Sequence, residues 1–219
     1  MPDNAIALDD ECTLDKPARG RPRSDEKNTA ILDAASFLFM ENGFDGTSMD
    51  EVAKKAGVSK QTVYSHFANK EQLFSAAIRG TIEEYFPEKV LENVPVHMFE
   101  DDFKTVCRTH CELLVSDDAI AMFRILTGAA AKNSNLAKIF WEAGPEEMLT
   151  KLMDFLQSWA DRGKLKIEDP ERAAMQLISL LKGSIHFKLS IGLVENITSE
   201  DIDEHVDECI ESFLKIYRP

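Results

Sequence analysis

Apolar residues recur along this 219-residue chain at three- and four-residue intervals, the spacing that places them on one face of an α-helix. Ile31, Ala34, Ala35, Leu38 and Phe39 form the first such stripe. It predicts a helix from a Ser24 cap to about Asn42, with Asp25 and Glu26 in the first turn and Gly43 placed to end it. Ser48 and Glu51 have capping-box spacing and open a second helix through about Ala56, with Val52, Ala53 and Ala56 inward. Gly57-Val58-Ser59 reads as a tight turn in which glycine permits positive φ, Val58 fills the corner and Ser59 caps the next helix. That third helix is brief, Lys60 to about Phe67, with Val63 and Phe67 inward. Asn69 and Gln72 start a fourth, through about Phe86 with Pro87 just beyond, and Leu73, Phe74, Ala77, Ile78 and Ile82 line its inner side.

The same period continues to the end of the chain. Helices are expected at about 99–115, 118–131, from 134 or 135 to the Gly144-Pro145 break, at 145–161, 170–193 and 199–216. Asp169 and the Thr198/Asp201 pair supply caps for the last two. Nine or ten helices and no convincing strand make the expected fold all-α. The chain divides into three segments: an acidic, disordered tail over 1–18, a helix-turn-helix unit with a basic arm over 19–68, and a helical body over 69–219.

Charge refines this division. The net charge of −14 argues at first against a polyanionic partner. It is unevenly spread, however. Residues 1–15 carry five acids and no Lys or Arg, whereas residues 16–70 carry nine Lys or Arg against seven acids. Residues 71–219 carry 16 against 27. The one segment that is not acidic holds the helix-turn-helix. No apolar run reaches the roughly 18–20 residues of a membrane span, and the polar N-terminus has no signal-peptide pattern, so a cytoplasmic location without membrane association is expected. Cys12, Cys107, Cys111 and Cys209 have neither disulfide-framework nor zinc spacing, and no metal or cofactor is expected.

The chemistry concentrates between Asp45 and Lys70. With Val63 and Phe67 inward, the third helix exposes Lys60, Gln61, Thr62, Tyr64, Ser65 and His66. Gln can engage adenine, a Thr methyl can meet thymine, and Tyr, His and Lys can hold phosphate oxygens. Upstream, Gly20 and Pro22 are expected to keep Arg19, Arg21 and Arg23 on an extended arm, suited to a narrow minor groove or to loose phosphate contacts. A small three-helix packing module is the alternative for the head alone.

These residues also resemble a known family. Ile31-Leu32-Asp33-Ala34-Ala35, Gly43-Phe44-Asp45-Gly46-Thr47, Val52-Ala53, Ala56-Gly57-Val58-Ser59 and Thr62-Val63-Tyr64-Ser65-His66-Phe67 through Lys70 look like the TetR family pattern over about 50 residues. The resemblance implies a homodimeric, DNA-binding transcription regulator. Lys60, Gln61, Thr62, Tyr64 and Ser65 match its base-approaching positions, and Ser48, Tyr64, His66 and Lys70 match its phosphate-holding ones. Asp50 stands where some members carry a base-contacting Arg. Ile125-Leu126-Thr127-Gly128, Phe140 to Pro145 and Leu181-Lys182-Gly183 further resemble the subgroup with an AefR-like C-terminal domain.

For the body, the resemblance implies that the last two helices pair with a second copy and that the middle helices surround a pocket for a small effector. It also implies a palindromic double-stranded operator and a repressor released by a hydrophobic ligand. Candidate pocket residues are Phe103, Cys107, His110, Met122, Phe123, Leu126, Phe140, Trp141, Met148, Phe155 and Trp159, with plain core packing as the alternative for each. His186 is expected at the dimer interface. Cys107 and Cys111, one turn apart, leave a redox-responsive regulator open, and the acidic body leaves a protein-binding adaptor open. No catalytic motif points to an enzyme.

Overall fold

The computed structural model describes residues 22–86, 98–130 and 134–219. Among them are ten helices and no strand: α1 (Pro22–Asn42), α2 (Met49–Lys55), α3 (Lys60–His66), α4 (Lys70–Tyr85), α5 (Phe99–Val115), α6 (Asp117–Ala129), α7 (Ser134–Ala143), α8 (Pro145–Asp161), α9 (Pro170–Ser190) and α10 (Ser199–Tyr217). The all-α expectation holds. No helix is long and apolar enough to cross a membrane among the described residues.

Local chemistry explains most boundaries. Ser48 caps α2 in a full capping box with Glu51, whose carboxylate accepts from the Ser48 amide at 2.9 Å. Ser59 caps α3, Asn69 caps α4 at 2.8 Å from the Gln72 amide, and Thr198 with Asp201 forms a second capping box on α10. Gly43 (φ 71°) and Gly57 (φ 67°) take the left-handed conformation that ends α1 and turns the chain between α2 and α3.

Three boundaries differ from expectation. α1 starts at Pro22, so Pro22 and Arg23 are helical rather than part of an extended arm. Proline lacks only an N–H that a first turn leaves unused, and its fixed φ suits that position. Arg19 and Arg21, the acidic tail with Cys12, and Pro87 lie outside the described residues. α6 ends at Ala129, short of 131. α9 ends at Ser190 rather than Leu193, because Gly192 (φ 71°) reverses the chain there.

Two apolar cores result. The first joins α1, α2, α3 and the first half of α4 around Phe39, Phe44 and Phe74, whose ring centroids lie 5.1–5.9 Å apart. Leu136 and Ala143 of α7 belong to it too, so the head is seated on the body. The second core joins α5, α8, α9 and α10 around Phe103, Leu156, Leu177, Leu181 and Phe213. Ile82 of α4 packs against both.

α9 is kinked. Gly183 has φ 43° and ψ −151°, which breaks the helical ladder within the element. The Leu180 and Leu181 carbonyls find partners elsewhere: the Cys209 thiol donates to the first at 3.1 Å and His205 Nε2–H to the second at 3.0 Å. A residue with a Cβ would strike His205 at this position, so glycine is required both for its backbone and for its size.

Candidate nucleic-acid interface and internal cavity

α3 presents one face to solvent because Val63 is fully buried and Phe67 nearly so. Lys60, Gln61, Tyr64 and Ser65 are exposed, and Thr62 and His66 half-buried. Their polar atoms are not equally available. Lys60 Nζ pairs with Asp50 at 2.7 Å across the turn from α2. That contact occupies part of the lysine, and it puts a carboxylate beside the outward face of α3. The Ser65 hydroxyl donates to the Thr62 carbonyl at 2.7 Å, and Thr62 Oγ1 shares a 2.8 Å hydrogen bond with Ser59. Tyr64 is 46% exposed, the largest apolar surface on this helix.

Two of the sequence-assigned phosphate positions have internal duties. The Ser48 hydroxyl serves the cap of α2, donating to Glu51 at 2.8 Å. Lys70 Nζ donates to the Phe44 carbonyl at 2.7 Å and lies 4.4 Å over the Phe44 ring. It ties the start of α4 to the α1–α2 connection. Buried Thr47 acts nearby, its hydroxyl facing the Leu38 and Gly43 carbonyls at 2.9 Å each. The Lys70 role depends on a contact between separate stretches of chain, which spacing alone does not reveal.

Beneath the head, α4 to α9 line a cavity of about 240 Å³ that is partly open to solvent. His110, Met122, Phe123, Leu126, Phe140, Trp141 and Met148 line it. Phe103, Cys107, Phe155 and Trp159 do not. They fill the second core, where Phe103 stacks near Phe155 and Phe213 (centroids 6.1 and 5.6 Å) and Trp159 meets Phe99 edge-on at 5.0 Å. α5 and α8 are buried on two sides, and an apolar stripe does not say which side faces a void.

The wall has members that periodicity missed: Ile78, Thr81 and Ile82 from α4, and Met175, Ile178, Lys182 and His186 from α9. Lys182 was legible as the only cation within the apolar run Ile178 to Phe187. His186 is buried against the cavity instead of waiting for a second copy. Its ring meets Phe123 edge-on at 4.9 Å, and its Nδ1 lies 3.2 Å from Ser190 Oγ. That hydroxyl donates to the His186 carbonyl at 2.7 Å, so Nδ1–H is the donor of the pair and Nε2 is left as an acceptor.

Electrostatics in the cavity are set by burial. Removal from water pushes the His110 and His186 imidazoles down to about 4, and the Lys182 ammonium nearby adds to the shift. Both rings are therefore neutral near pH 7. His110 Nδ1 is buried with no hydrogen-bond partner, and Phe86 packs edge-on against the ring at 5.5 Å. The Asp118 carboxyl is raised by burial and by its acidic neighbours Glu84 and Asp117.

Among the described residues the cysteines offer no reactive thiol. Cys107 and Cys111 are fully buried, burial pushes Cys111 up to about 12, and Cys107 is raised well above its ordinary range. A thiolate is the reacting species, so the redox-responsive reading loses its chemistry. Among the described residues no group of three or more His, Cys, Asp or Glu could hold a metal ion.

Comparison with known proteins agrees with this geometry. Residues 31–77 match the family described as bacterial regulatory proteins, tetR family, and residues 101–219 match the AefR-like transcriptional repressor C-terminal domain. RutR, an HTH-type transcriptional regulator of Escherichia coli strain K12, is 24% identical over 194 residues, 87% of this chain and 88% of that protein. YdeS of Bacillus subtilis, also an HTH-type transcriptional regulator, is 39% identical over 69 residues. The match spans only about a third of each protein (32% and 35%). Among solved structures, a TetR-family regulator from Mesorhizobium loti superposes with a TM-score of 0.77 at 29% identity, covering 91% of this chain and all of that one. The flavonoid-responsive regulator FrrA superposes with a TM-score of 0.68 at 31% identity, covering 89% and 98%. With matched segments at both ends and a shared fold between, the chain belongs to the TetR family of DNA-binding transcriptional regulators and carries an AefR-like C-terminal domain.

Proposed function

We propose that the chain is a repressor that binds a palindromic operator as a homodimer and leaves it when a hydrophobic small molecule fills the cavity. The observation that carries this reading is the double attachment of α4. Its first turn is tied to the head through Lys70 and Phe44, and Phe74 lies in the head's core. Its far half supplies Ile78, Thr81 and Ile82 to the cavity wall. A ligand that displaces this wall moves the rod on which the reading head is mounted.

Pairing of two copies is supported by apolar surface on α9, on α10 and on the stretch just after α9. Phe187, Ile191, Leu193 and Ile216 are 59–69% exposed, more than an isolated surface explains. A symmetric dimer calls for two α3 helices about one DNA turn apart, roughly 34–36 Å. Repression accords with the description of the C-terminal domain, and small-molecule control accords with FrrA, which is named as flavonoid-responsive. In this arrangement the head, residues 19–68, reads DNA through Gln61, Thr62, Tyr64 and the neighbouring polar groups, and residues 69–219 bind the effector and dimerise. Inverting a 1:99 population of the two states takes a ligand preference of about 10⁴.

The test is release of the full-length protein from DNA of its own upstream region, screened across small aromatic and aliphatic compounds. A releasing compound is expected, and Ala119→Trp, which fills the cavity from α6, is expected to abolish release while DNA binding persists. Operator binding that no compound changes, or equal release from the plugged variant, overturns the effector role.

A further inference from the structure

The geometry points to an aromatic organic acid, bound as its monoanion, as the molecule the cavity accepts, with Lys182 as the counter-cation for its carboxylate or phenolate. This rests on the cavity being an effector site and goes further by naming the ligand's charge and body.

Lys182 lies on the cavity side of α9, and among the described residues no carboxylate pairs with it. Its one specific contact there is the Phe123 ring, 5.8 Å from Nζ. A partly desolvated ammonium without a counter-ion, in a chain of net charge −14, is a place where an anion is stabilised and a cation is not. The groups beside it agree. His110 and His186 are neutral, so Lys182 is the one cation among the residues that line the cavity. Asp118, the one carboxylate in the wall, sits with Glu84 and Asp117 and forms no ion pair with Lys182. It repels an anionic head from that side, so the head is directed to Lys182.

The remaining surface selects the body. Phe123, Phe140 and Trp141 line the cavity with aromatic rings, and Phe123 and Trp141 are also about two-fifths exposed. Thr81 adds little polarity, since its hydroxyl already donates to the Ala77 carbonyl at 3.3 Å. One charged end and an apolar, ring-lined remainder describe an amphipathic acid.

Calorimetric titration of the full-length protein at neutral pH with four naphthalene probes tests this. 2-Naphthoate and 2,4-dinitro-1-naphtholate are the carboxylate and phenolate arms. 2-Naphthamide is the neutral shape control and 2-naphthylmethylammonium the cationic one. At least one anion is expected to bind about tenfold or more tighter than the amide, and the ammonium weakest. Whichever anion leads assigns the head group. Lys182→Met is expected to erase the preference while amide affinity stays within about twofold, and Lys182→Arg to retain it. Equal binding of amide and anions, tightest binding of the ammonium, or an anion preference that survives Lys182→Met overturns the charge assignment while leaving a small-molecule site intact. Failure of all four probes to bind overturns the effector site as well.

Discussion

Gly183 lies against His205 so closely that an added Cβ would sit 2.6 Å from the imidazole Cε1. The contact holds α9 and α10 together at the kink, where the Leu180 and Leu181 carbonyls turn to Cys209 and His205. Gly183→Ala is therefore expected to cost about 2 kcal/mol or more, from left-handed backbone strain plus displacement of His205. Urea unfolding checks it, and an unchanged midpoint would show that the kink relaxes without penalty.

Lys70 and Tyr64 separate stability from recognition. Lys70→Met removes a charge-assisted hydrogen bond and a ring contact between α4 and Phe44 and is expected to cost about 1–2 kcal/mol. Tyr64→Ala alters an exposed side chain with no hydrogen bond to the other described residues and is expected to change stability by less than about 0.5 kcal/mol. Thermal melts of both variants would expose an error in either assignment.

Phe74 is fully buried and meets both Phe39 and Phe44 edge-on at 5.1 Å. Phe74→Ala is expected to cost about 3–5 kcal/mol, since the two remaining rings cannot close over the void it leaves. A loss below about 1 kcal/mol by denaturant titration would mean that the head's core can collapse.

Caps and turns were readable in the sequence because their chemistry spans three or four residues. Ser48 with Glu51, Asn69 with Gln72, Thr198 with Asp201, and the glycines at 43 and 57 all act within that reach. The exposed side of α3 was readable for the same reason, as Val63 and Phe67 fix its rotation. The kink at Gly183 was not, because His205 reaches it from another helix. Nor was the division of α5 and α8 between cavity and core: Phe103 and His110 share a stripe, and only the packing of α4 and α9 opens space beside one of them. Lys182 is a lone cation in an apolar run, yet the expected dimer role of its helix gave no reason to place it against a cavity.

His110 makes stability depend on pH. Its pKa is about 4 in the folded chain, below the roughly 6.5 of an exposed imidazole, so the unfolded state binds the extra proton first. Stability contributed by the neutral ring is complete above about pH 6.5 and is lost as pH falls toward 4. Between pH 7 and 5 the loss amounts to about 2 kcal/mol. Urea titrations of the wild type and His110→Gln at those two values should differ by that amount in their pH dependence. Identical slopes would mean that the ring takes up its proton in the folded state as readily as in the unfolded one.

Recognition of DNA through the outward face of α3 is tested most directly by fluorescence anisotropy. Full-length wild type and Tyr64→Ala are titrated against a labelled duplex from the chain's own upstream region and an unrelated duplex, at roughly 150 mM salt. Specific retention of the upstream duplex is expected from the wild type, with a loss of about tenfold or more in Tyr64→Ala at unchanged oligomeric mass. Equal affinity for the two duplexes, or a Tyr64→Ala variant that binds as well as the wild type, would contradict it.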